Sequence, residues 1–508
     1  PPADRYTVEA LDDAGLSLVT HTEGVYDWTP RSEVRLGPQE PPRLTPPEER
    51  SEGEWLCRGD LQEREGKLLP ARETYVQARR FFPDSFGLDK AAGRLAVQLK
   101  RYDEAALLLT QAEGRVSNDP EVEYHLGCAR LALGDERRAR IHWERAVHDR
   151  RTRAPALLKL GALLSREGDL ESALAHVRAA TESEPAAVRA GSFEVVLLRR
   201  MGRRDTAGER LSAWRRRDPT SSTLRNEGVK LGREDTGLWR HLAGDPQRVL
   251  ESVLDYMELG AWDDAVELLA REYPTGEGVF GEPGMPAPQA HPEVAYYRGY
   301  CREKLGLSGR ADFETASRLD TRYVFPMRAA SLPVFRRALE VNPEDATARF
   351  LLGSLYLSGG MSDEAAAEWQ AARRLDPRIP VLHRNLGLTL LHRGETEPAR
   401  EVLSEGTRMD PGNLEVYLGL DQALGLLGRP VEERLHALEA YPGALPGVLV
   451  FKRALALVEA GRFAEAEGLF PGRFFAREEF GTNVRQVWVE VEIQRILALA
   501  RGGKCAEA

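Results

Sequence analysis

Small and large apolar residues recur along this chain at the spacing of packed helices. The stretches LLKLGALLSREGDLESALAHVRAATESEP, ending at Pro185, and RFLLGSLYLSGGMSDEAAAEWQAARRLDP, ending at Pro377, align position by position. In each, a glycine lies among large apolar residues (Gly161, Gly353), and a second glycine marks a polar break (Gly168, Gly360). An alanine follows the break (Ala173, Ala365) and a proline closes the segment. Apolar residues three and four apart on both sides of the break predict two amphipathic helices. The glycine at the break permits a tight turn, the small residues let the helices approach closely, and the proline ends the second helix. From Gly127 to Gly161 to Val195 the step is 34 residues, and from Gly353 to Gly387 it is 34 again. One such hairpin cannot bury its apolar face alone, so the period implies stacking.

This pattern resembles the tetratricopeptide repeat, a helix–turn–helix unit of the same length. The expected fold class is all-α: a solenoid of about a dozen helical hairpins with inserts, preceded by a short β-hairpin. Residues 51–220 read as five repeats, with Gly59, Gly93, Gly127 and Gly161 at the close approach and Gly202, Ala207, Trp214 and Pro219 in the fifth. An insert is expected over 221–245. Residues 246–344 carry irregular repeats around Gly260, Gly299 and Gly306, interrupted by the loop YPTGEGVFGEPGMPAPQAHP. Regular units return over 345–470, with Gly353 and Gly387 and weaker ones near Gly428 and Gly461. An insert rich in Arg and aromatics fills 471–488. In the last segment, 489–508, LALARGGKCAEA repeats LALVEAGRFAEA of 455–466, so the chain is expected to stop inside the second helix of a truncated repeat.

The N-terminal residues differ. RYTVEALDDAGLSLVTHTEG places β-branched and apolar residues around a DDAG turn, which predicts a hairpin within residues 1–36. A Pro-rich linker follows over 37–50. Two strands are marginal alone. They read either as the tail of a β domain lying upstream or as an arm of this chain that docks on the first repeats. The stretches LAGDPQRVLESVLDYMELG, HPEVAYYRGYCREKLG, TRYVFPMRA, IPVLHRNLGL, GLDQALGLLGRP and PGRFFAREEFGTNVRQVWVEVEIQRILALA carry a second resemblance. They are similar to a bacterial family that joins an N-terminal galactose-mutarotase-like β-sandwich to a long tetratricopeptide region. That resemblance implies a parent protein that acts on or binds carbohydrate. Its catalytic residues would lie upstream, so none is assigned here.

Composition narrows the function classes. The formal net charge is −10 over 508 residues, which argues against a dedicated nucleic-acid binder. No stretch approaches 18 uncharged apolar residues, so no membrane span is expected. Cys57, Cys128, Cys301 and Cys505 lie far apart and offer neither a disulfide framework nor a zinc ribbon. A cytoplasmic location is expected. Phosphate-loop, GxGxxG, GxSxG and HExxH motifs are absent, so no cofactor or metal is expected and no catalytic residue is assigned. The histidines, including the pairs His142/His148 and His383/His392, read as surface or groove residues. The acidic residues read as solvated helix faces. Eight lysines stand against 62 arginines, a bias read as genomic composition.

Three groups are candidate binding residues. Arginines concentrate at 137, 138, 140, 145, 150, 151 and 153, and again from Arg199, Arg200, Arg203 and Arg204 to Arg217. Stacking would merge these into a basic stripe, or interleaved Glu and Asp would pair them on solvated faces. The 471–488 insert gathers Arg473, Arg477, Asn483, Arg485 and Trp488 beside Phe474, Phe475 and Phe480. It reads as an interface anchor or as a plug for the end of the array. In the C-terminal repeats Phe350, Ser354 and Leu357, with Arg384, Leu388 and Leu391, are expected to face the groove. That surface is mostly apolar and departs from a Lys/Asn carboxylate clamp, so it suits a helix or an apolar segment. The chain thus reads as a non-catalytic interaction scaffold, the accessory region of a larger carbohydrate-associated protein. Its partners would be a protein or peptide in the groove and its own upstream β domain, with carbohydrate reached only through the parent. A free-standing adaptor is the alternative, and an enzyme sited in the repeats has no motif in its favour.

Overall fold

The computed structural model describes residues 6–12, 15–22, 45–276, 279–473, 475 and 483–503. It divides into two compact units, Pro1–Glu54 and Trp55–Ala508. In the first, β1 (Thr7–Leu11) and β2 (Ser17–Thr22) pair antiparallel, Thr7 opposite Thr22, with a register shift at Ala10/Leu11. The turn closes as Gly15 donates its N–H to the Asp12 carbonyl (2.9 Å), Gly15 taking φ +80°, where a Cβ would clash with its own backbone. The hairpin expected from the DDAG turn is present. Most of the 37–50 linker lies outside the described residues.

The second unit is helical. Five hairpins come first: α1 (Glu52–Arg64) with α2 (Leu68–Phe81), α3 (Phe86–Gln98) with α4 (Tyr102–Arg115), and α5 (Pro120–Ala132) with α6 (Glu136–Ala146). They continue as α7 (Arg150–Arg166) with α8 (Leu170–Ser183), and α9 (Val188–Arg200) with α10 (Arg204–Arg217). The 221–245 segment forms two short helices, α11 (Ser222–Lys230) and α12 (Thr236–Ala243). Then follow α13 (Pro246–Glu258), α14 (Trp262–Leu269), α15 (Pro292–Lys304), α16 (Arg310–Ala316) and α17 (Ser331–Val341). Regular hairpins resume with α18 (Ala346–Ser358) and α19 (Ser362–Leu375), then α20 (Leu382–His392) and α21 (Thr396–Met409). The remainder is α22 (Leu414–Leu426), α23 (Val431–Glu439), α24 (Gly447–Glu459), α25 (Phe463–Glu467) and α26 (Val484–Arg501). Aspartates open several helices: Asp119 accepts from the N–H groups of Glu121 and Val122, and Asp135, Asp169 and Asp345 cap in the same way.

Within each regular hairpin one contact sets the distance between helices. A Cβ added at Gly127 would lie 2.5 Å from Trp143, at Gly353 2.7 Å from Trp369, and at Gly59 2.2 Å from Tyr75. Each of these rings is buried. The fifth repeat has Val195 in the glycine register. There the contact moves about one turn along both helices, and Gly191 lies under Trp214.

The array also touches itself across long sequence distances. Ser165 donates to the Leu259 carbonyl (2.7 Å), and a Cβ on Gly260 would meet Arg166 at 2.9 Å. Lys100 donates to Ser358 (3.1 Å), and Gly359 leaves room for the Leu99 carbonyl. The turns of the second and fourth hairpins therefore meet the α18–α19 and α13–α14 turns.

Replacing Gly127 with Ala forces the buried Trp143 ring outward, an overpacking that costs about 1–3 kcal/mol. Gly114, exposed in α4 with open space where its Cβ would stand, responds oppositely: Gly114→Ala is neutral or stabilises by up to about 0.5 kcal/mol. Thermal unfolding of the two variants checks the opposite signs.

Candidate functional site: the charged inner face

The first helices of the hairpins carry a chain of ion pairs among themselves. Arg94 on α3 bonds Glu63 on α1 (2.8 Å), which also accepts from Tyr75 (2.7 Å). Arg94 approaches Glu121 at 3.6 Å, and Lys90 reaches Asp119 (3.1 Å) and Glu121 (2.8 Å). On α5, Tyr124 and His125 meet edge to face at 5.1 Å. Lys159 on α7 then donates to Glu258 at the end of α13 (2.8 Å), and Arg189 on α9 bonds both Asp255 (3.0 Å) and Glu258 (2.5 Å). Thr223 completes the shell of Asp255 (2.8 Å). Lys159 and Glu258 keep 27 % and 19 % of their side-chain surface, so water reaches this cluster.

The electrostatics favour fixed charge here. Burial raises the pKa of Glu258, but Lys159 and Arg189 outweigh it and hold the carboxyl at about 2. Glu258 in turn pushes Lys159 upward. Burial lowers His125 to about 4 and raises the Cys128 thiol. Burial thus disfavours the thiolate at Cys128 and leaves His125 a weak base. Oriented charges beside an aromatic pair suit binding.

The second helices carry a different system, repeated about once per hairpin. Arg72 bonds Glu104 (3.0 Å) and Arg145 bonds Glu113 (3.1 Å), each across 32 residues. Arg203 pairs with Glu171 and Arg373 with Glu405 at the same separation. Arg115 and Arg217 reach the carbonyls of Pro83 (2.9 Å) and Pro185 (2.8 Å), again 32 residues away. Of the two readings of the arginine concentrations, pairing describes the observed contacts. Arg138, Arg140, Arg151, Arg200, Arg210 and Arg215 all have carboxylate partners. Arg199 is 14 % exposed and forks onto Glu227, with a further bond to Asp264 (2.8 Å), so its donors are engaged inside the array.

Other expected residues are placed as follows. Phe350 is 2 % exposed, a core residue whose carbonyl accepts from Trp369 (3.0 Å), and so does not line a groove. Arg384 is half-buried and bonds its neighbour Asn385 (2.9 Å). Arg473 is exposed and reaches the Leu445 carbonyl (3.4 Å). Asn483 caps α26 by accepting from the Arg485 N–H (2.9 Å), and Trp488 is exposed on that helix. Phe475 stacks on Phe451 at 5.3 Å. Arg477, Phe474, Phe480 and Cys505 lie outside the described residues.

Two expectations are corrected. His142, His291 and His383 are buried, not surface or groove residues, because neighbouring helices close over them. Several acidic residues, among them Glu123, Glu194, Glu227 and Glu293, are likewise buried, each with a hydrogen-bond partner. Glu113, Glu123 and His142 bring potential metal-ligand atoms within 4.8 Å of one another. Arg145 lies among them, 3.1 Å from Glu113 and 3.3 Å from Glu123, and already supplies the positive charge.

Two family models described as tetratricopeptide repeat match, one over residues 39–159 and the other over 328–378 and 360–414. The chain carries tetratricopeptide repeats. Among solved structures it is similar to YrrB, described as a TPR protein with an unusual peptide-binding site: 22% identity over 34% of this chain and 90% of that one, TM-score 0.30. It is similar to MamA at 19% identity over 34% and 95%, TM-score 0.29. A structure of Naa15/Naa10 bound to HypK-THB matches at 14% identity over 90% of this chain and 69% of that one, TM-score 0.26. No curated protein matches. Among the described residues no helix of the tetratricopeptide array is long and apolar enough to cross a membrane.

Because the folded pKa of Glu258 is depressed, its contribution to stability is complete above the unfolded value of about 4.3 and is lost as pH falls through about 2. Glu258→Gln is expected to lower stability at pH 7 by about 2–3 kcal/mol. The gap between wild type and variant closes as the pH is taken from about 4.5 to about 2. Urea unfolding of both proteins across that range checks it; a gap independent of pH contradicts the assignment.

Proposed function

We propose that this chain is a non-catalytic scaffold that binds protein or peptide partners. Tetratricopeptide repeats generally mediate protein–protein interaction. The observation that carries the reading is the inner face, where ion pairs between first helices hold charged and aromatic side chains in fixed positions. A rigid surface of that kind loses little conformational freedom on binding. The self-contact between α7 and α13 occupies part of it, so partners reach the array from beyond that contact. Size exclusion of the tagged chain from its host cells tests this. Migration in complexes well above its own 56.6 kDa is expected, and recovery only as the free chain contradicts it.

A finer reading follows from the resemblance to mutarotase-linked proteins, and the β-hairpin of residues 7–22 is compatible with it. In that reading the repeats hold a partner or second subunit near a carbohydrate domain. Reading the open frame upstream of Pro1 tests it. A β-rich domain with His and acidic residues placed for a sugar ring is expected, and a start codon just upstream leaves a plain adaptor.

A further inference from the structure

The array folds back on itself along a seam, where turns between paired helices meet in reverse order. At one end the α7–α8 turn meets the α13–α14 turn; at the other the α3–α4 turn meets the α18–α19 turn. Between them the α5–α6 turn faces α17 across a gap of about 260 Å³, with Tyr102 and Leu133 on one side and Leu332 and Met361 on the other. The two ends are built differently. Near α7 the seam is packed: buried Ser165 donates to the Leu259 carbonyl (2.7 Å), and Lys159 and Arg189 both hold Glu258. At the far end Lys100 Nζ donates to the exposed Ser358 hydroxyl (3.1 Å) and Arg101 to the Gly359 carbonyl (3.5 Å), while the exposed Leu69 side chain lies against Gly360. The gap lies beside that end, where dispersion contacts that would join the two halves are missing.

Two residues nevertheless depart from the repeat at this contact. In the same register Gly66, Gly134, Gly168 and Gly202 are left-handed, whereas the second hairpin has Lys100 there at φ 62°. Lysine lacks glycine's freedom in that region, and its ammonium is the group that reaches Ser358. Gly359 is the converse. The residue before the turn glycine is Glu65, Leu133, Glu167, Met201 and Arg393 in other hairpins, and Gly359 itself has an ordinary backbone, φ −95°. What excludes a side chain is the opposite half: an added Cβ would lie 2.3 Å from the Leu99 carbonyl oxygen, while the flexible tip of Met361, at 3.0 Å, can move aside. The meeting of these two turns is therefore specified by sequence but held by few bonds.

We propose that the α3–α4 and α18–α19 turns form a clasp, which opens and closes while the seam stays hinged at α7 and α13. Complementary shape decides which turns meet. Partly exposed polar bonds contribute little net stability each, so the open state is populated beside the closed one. Opening widens the gap and uncovers Tyr102 and Leu332, which line it. The clasp is a property of the chain alone and goes beyond the scaffold reading: it gives the array two states that differ in exposed surface.

Distances between nitroxide labels on the whole chain, read by pulsed electron paramagnetic resonance, test this. One label pair, Asp103→Cys/Glu364→Cys, spans the clasp, since both residues are exposed and line the gap from opposite sides. A second pair, Glu167→Cys/Asp263→Cys, spans the hinge; both residues are exposed beside the turns that meet there. Cys57 and Cys505 are replaced by serine throughout. The otherwise wild-type chain is expected to give a short distance at the clasp with a minor longer component. Lys100→Gly should raise the share of that component several-fold, and Gly359→Leu should make it the major one. The hinge pair should keep one distance in all three. Lys100→Gly restores the residue usual in its register and Gly359 has an ordinary backbone, so the hairpins persist, which an unchanged circular dichroism spectrum confirms. A single short distance at the clasp of the otherwise wild-type chain overturns the proposal, as does a longer component that neither variant increases. Equal lengthening at both pairs also overturns it, because the halves then part as a whole.

Discussion

The distance between the two helices of a hairpin governs everything else in this array. At Gly127 and Gly353 the first helix presents bare backbone, and an indole from the second lies flush against it. That closeness lets the ring do a second job. Trp143 donates its N–H to the Tyr124 carbonyl (3.2 Å) and Trp369 donates to the Phe350 carbonyl (3.0 Å), in each case three residues before the glycine. A large apolar ring is buried and its one polar atom satisfied by the same approach. The angle of the hairpin is thereby fixed, and with it the direction in which the outer positions of the first helix point. Lys90 and Arg94 find carboxylates on neighbouring first helices because those directions repeat from one hairpin to the next, and Lys159 and Arg189 point the same way to meet Glu258 where α13 returns.

Charge then does in two ways what the apolar core does in one. On the second helices an arginine reaches about one repeat along the array, and a carboxylate or a proline carbonyl meets it. Each partly exposed pair contributes at most about 1 kcal/mol, yet the spacing of 32 residues recurs along the array. Arginine suits this because its planar fork binds two oxygens at once, where lysine offers a point charge. The arginine bias therefore has a structural use beyond composition. In the interior the same chemistry turns costly if incomplete. Glu227 is fully buried and its carboxylate is balanced by Arg199, with Tyr256 and the Arg199–Asp264 bond closing the shell. Removing one member of such a group leaves an uncompensated buried charge, which costs far more than the group contributes when whole.

The period, the hairpins and most closing glycines were legible because they are local: a glycine and a ring sixteen residues later, as at Gly127 and Trp143, announce themselves in one sequence. The fifth repeat shows the limit of that reading. Val195 stands in the glycine register, and the compensation lies in Trp214 falling seven residues after Ala207 instead of four, so that its ring reaches Gly191. That displacement was visible in the sequence as a shifted tryptophan. The inner-face cluster was not. Lys159 and Glu258 are 99 residues apart, and nothing in a local period says that α13 returns to α7. Phe350 failed as a groove residue for the same reason: position on a helix gives direction, while burial depends on what packs there from elsewhere.

Departures from the repeat carry information that the repeat cannot. In a regular hairpin the turn after the first helix is left-handed and occupied by glycine, as at Gly134, Gly168 and Gly202. Where another residue takes a left-handed conformation, about 1–3 kcal/mol of strain is retained against the ordinary solution. Among the described residues this happens at Lys100, Asn118, Tyr323 and Val381. Asn tolerates the conformation through its short polar side chain. Lys100 replaces the turn glycine where the second hairpin meets Ser358, so its side chain is used to close the array on itself. Tyr323 lays its ring over Gly284, and Val381 opens α20 while packed against the core. A stack built from one repeated solution has the stability to hold a few strained residues. Of these four only Tyr323 falls in the irregular stretch between α16 and α17; the others sit at turns and junctions of the regular hairpins, where the close packing of the stack holds them.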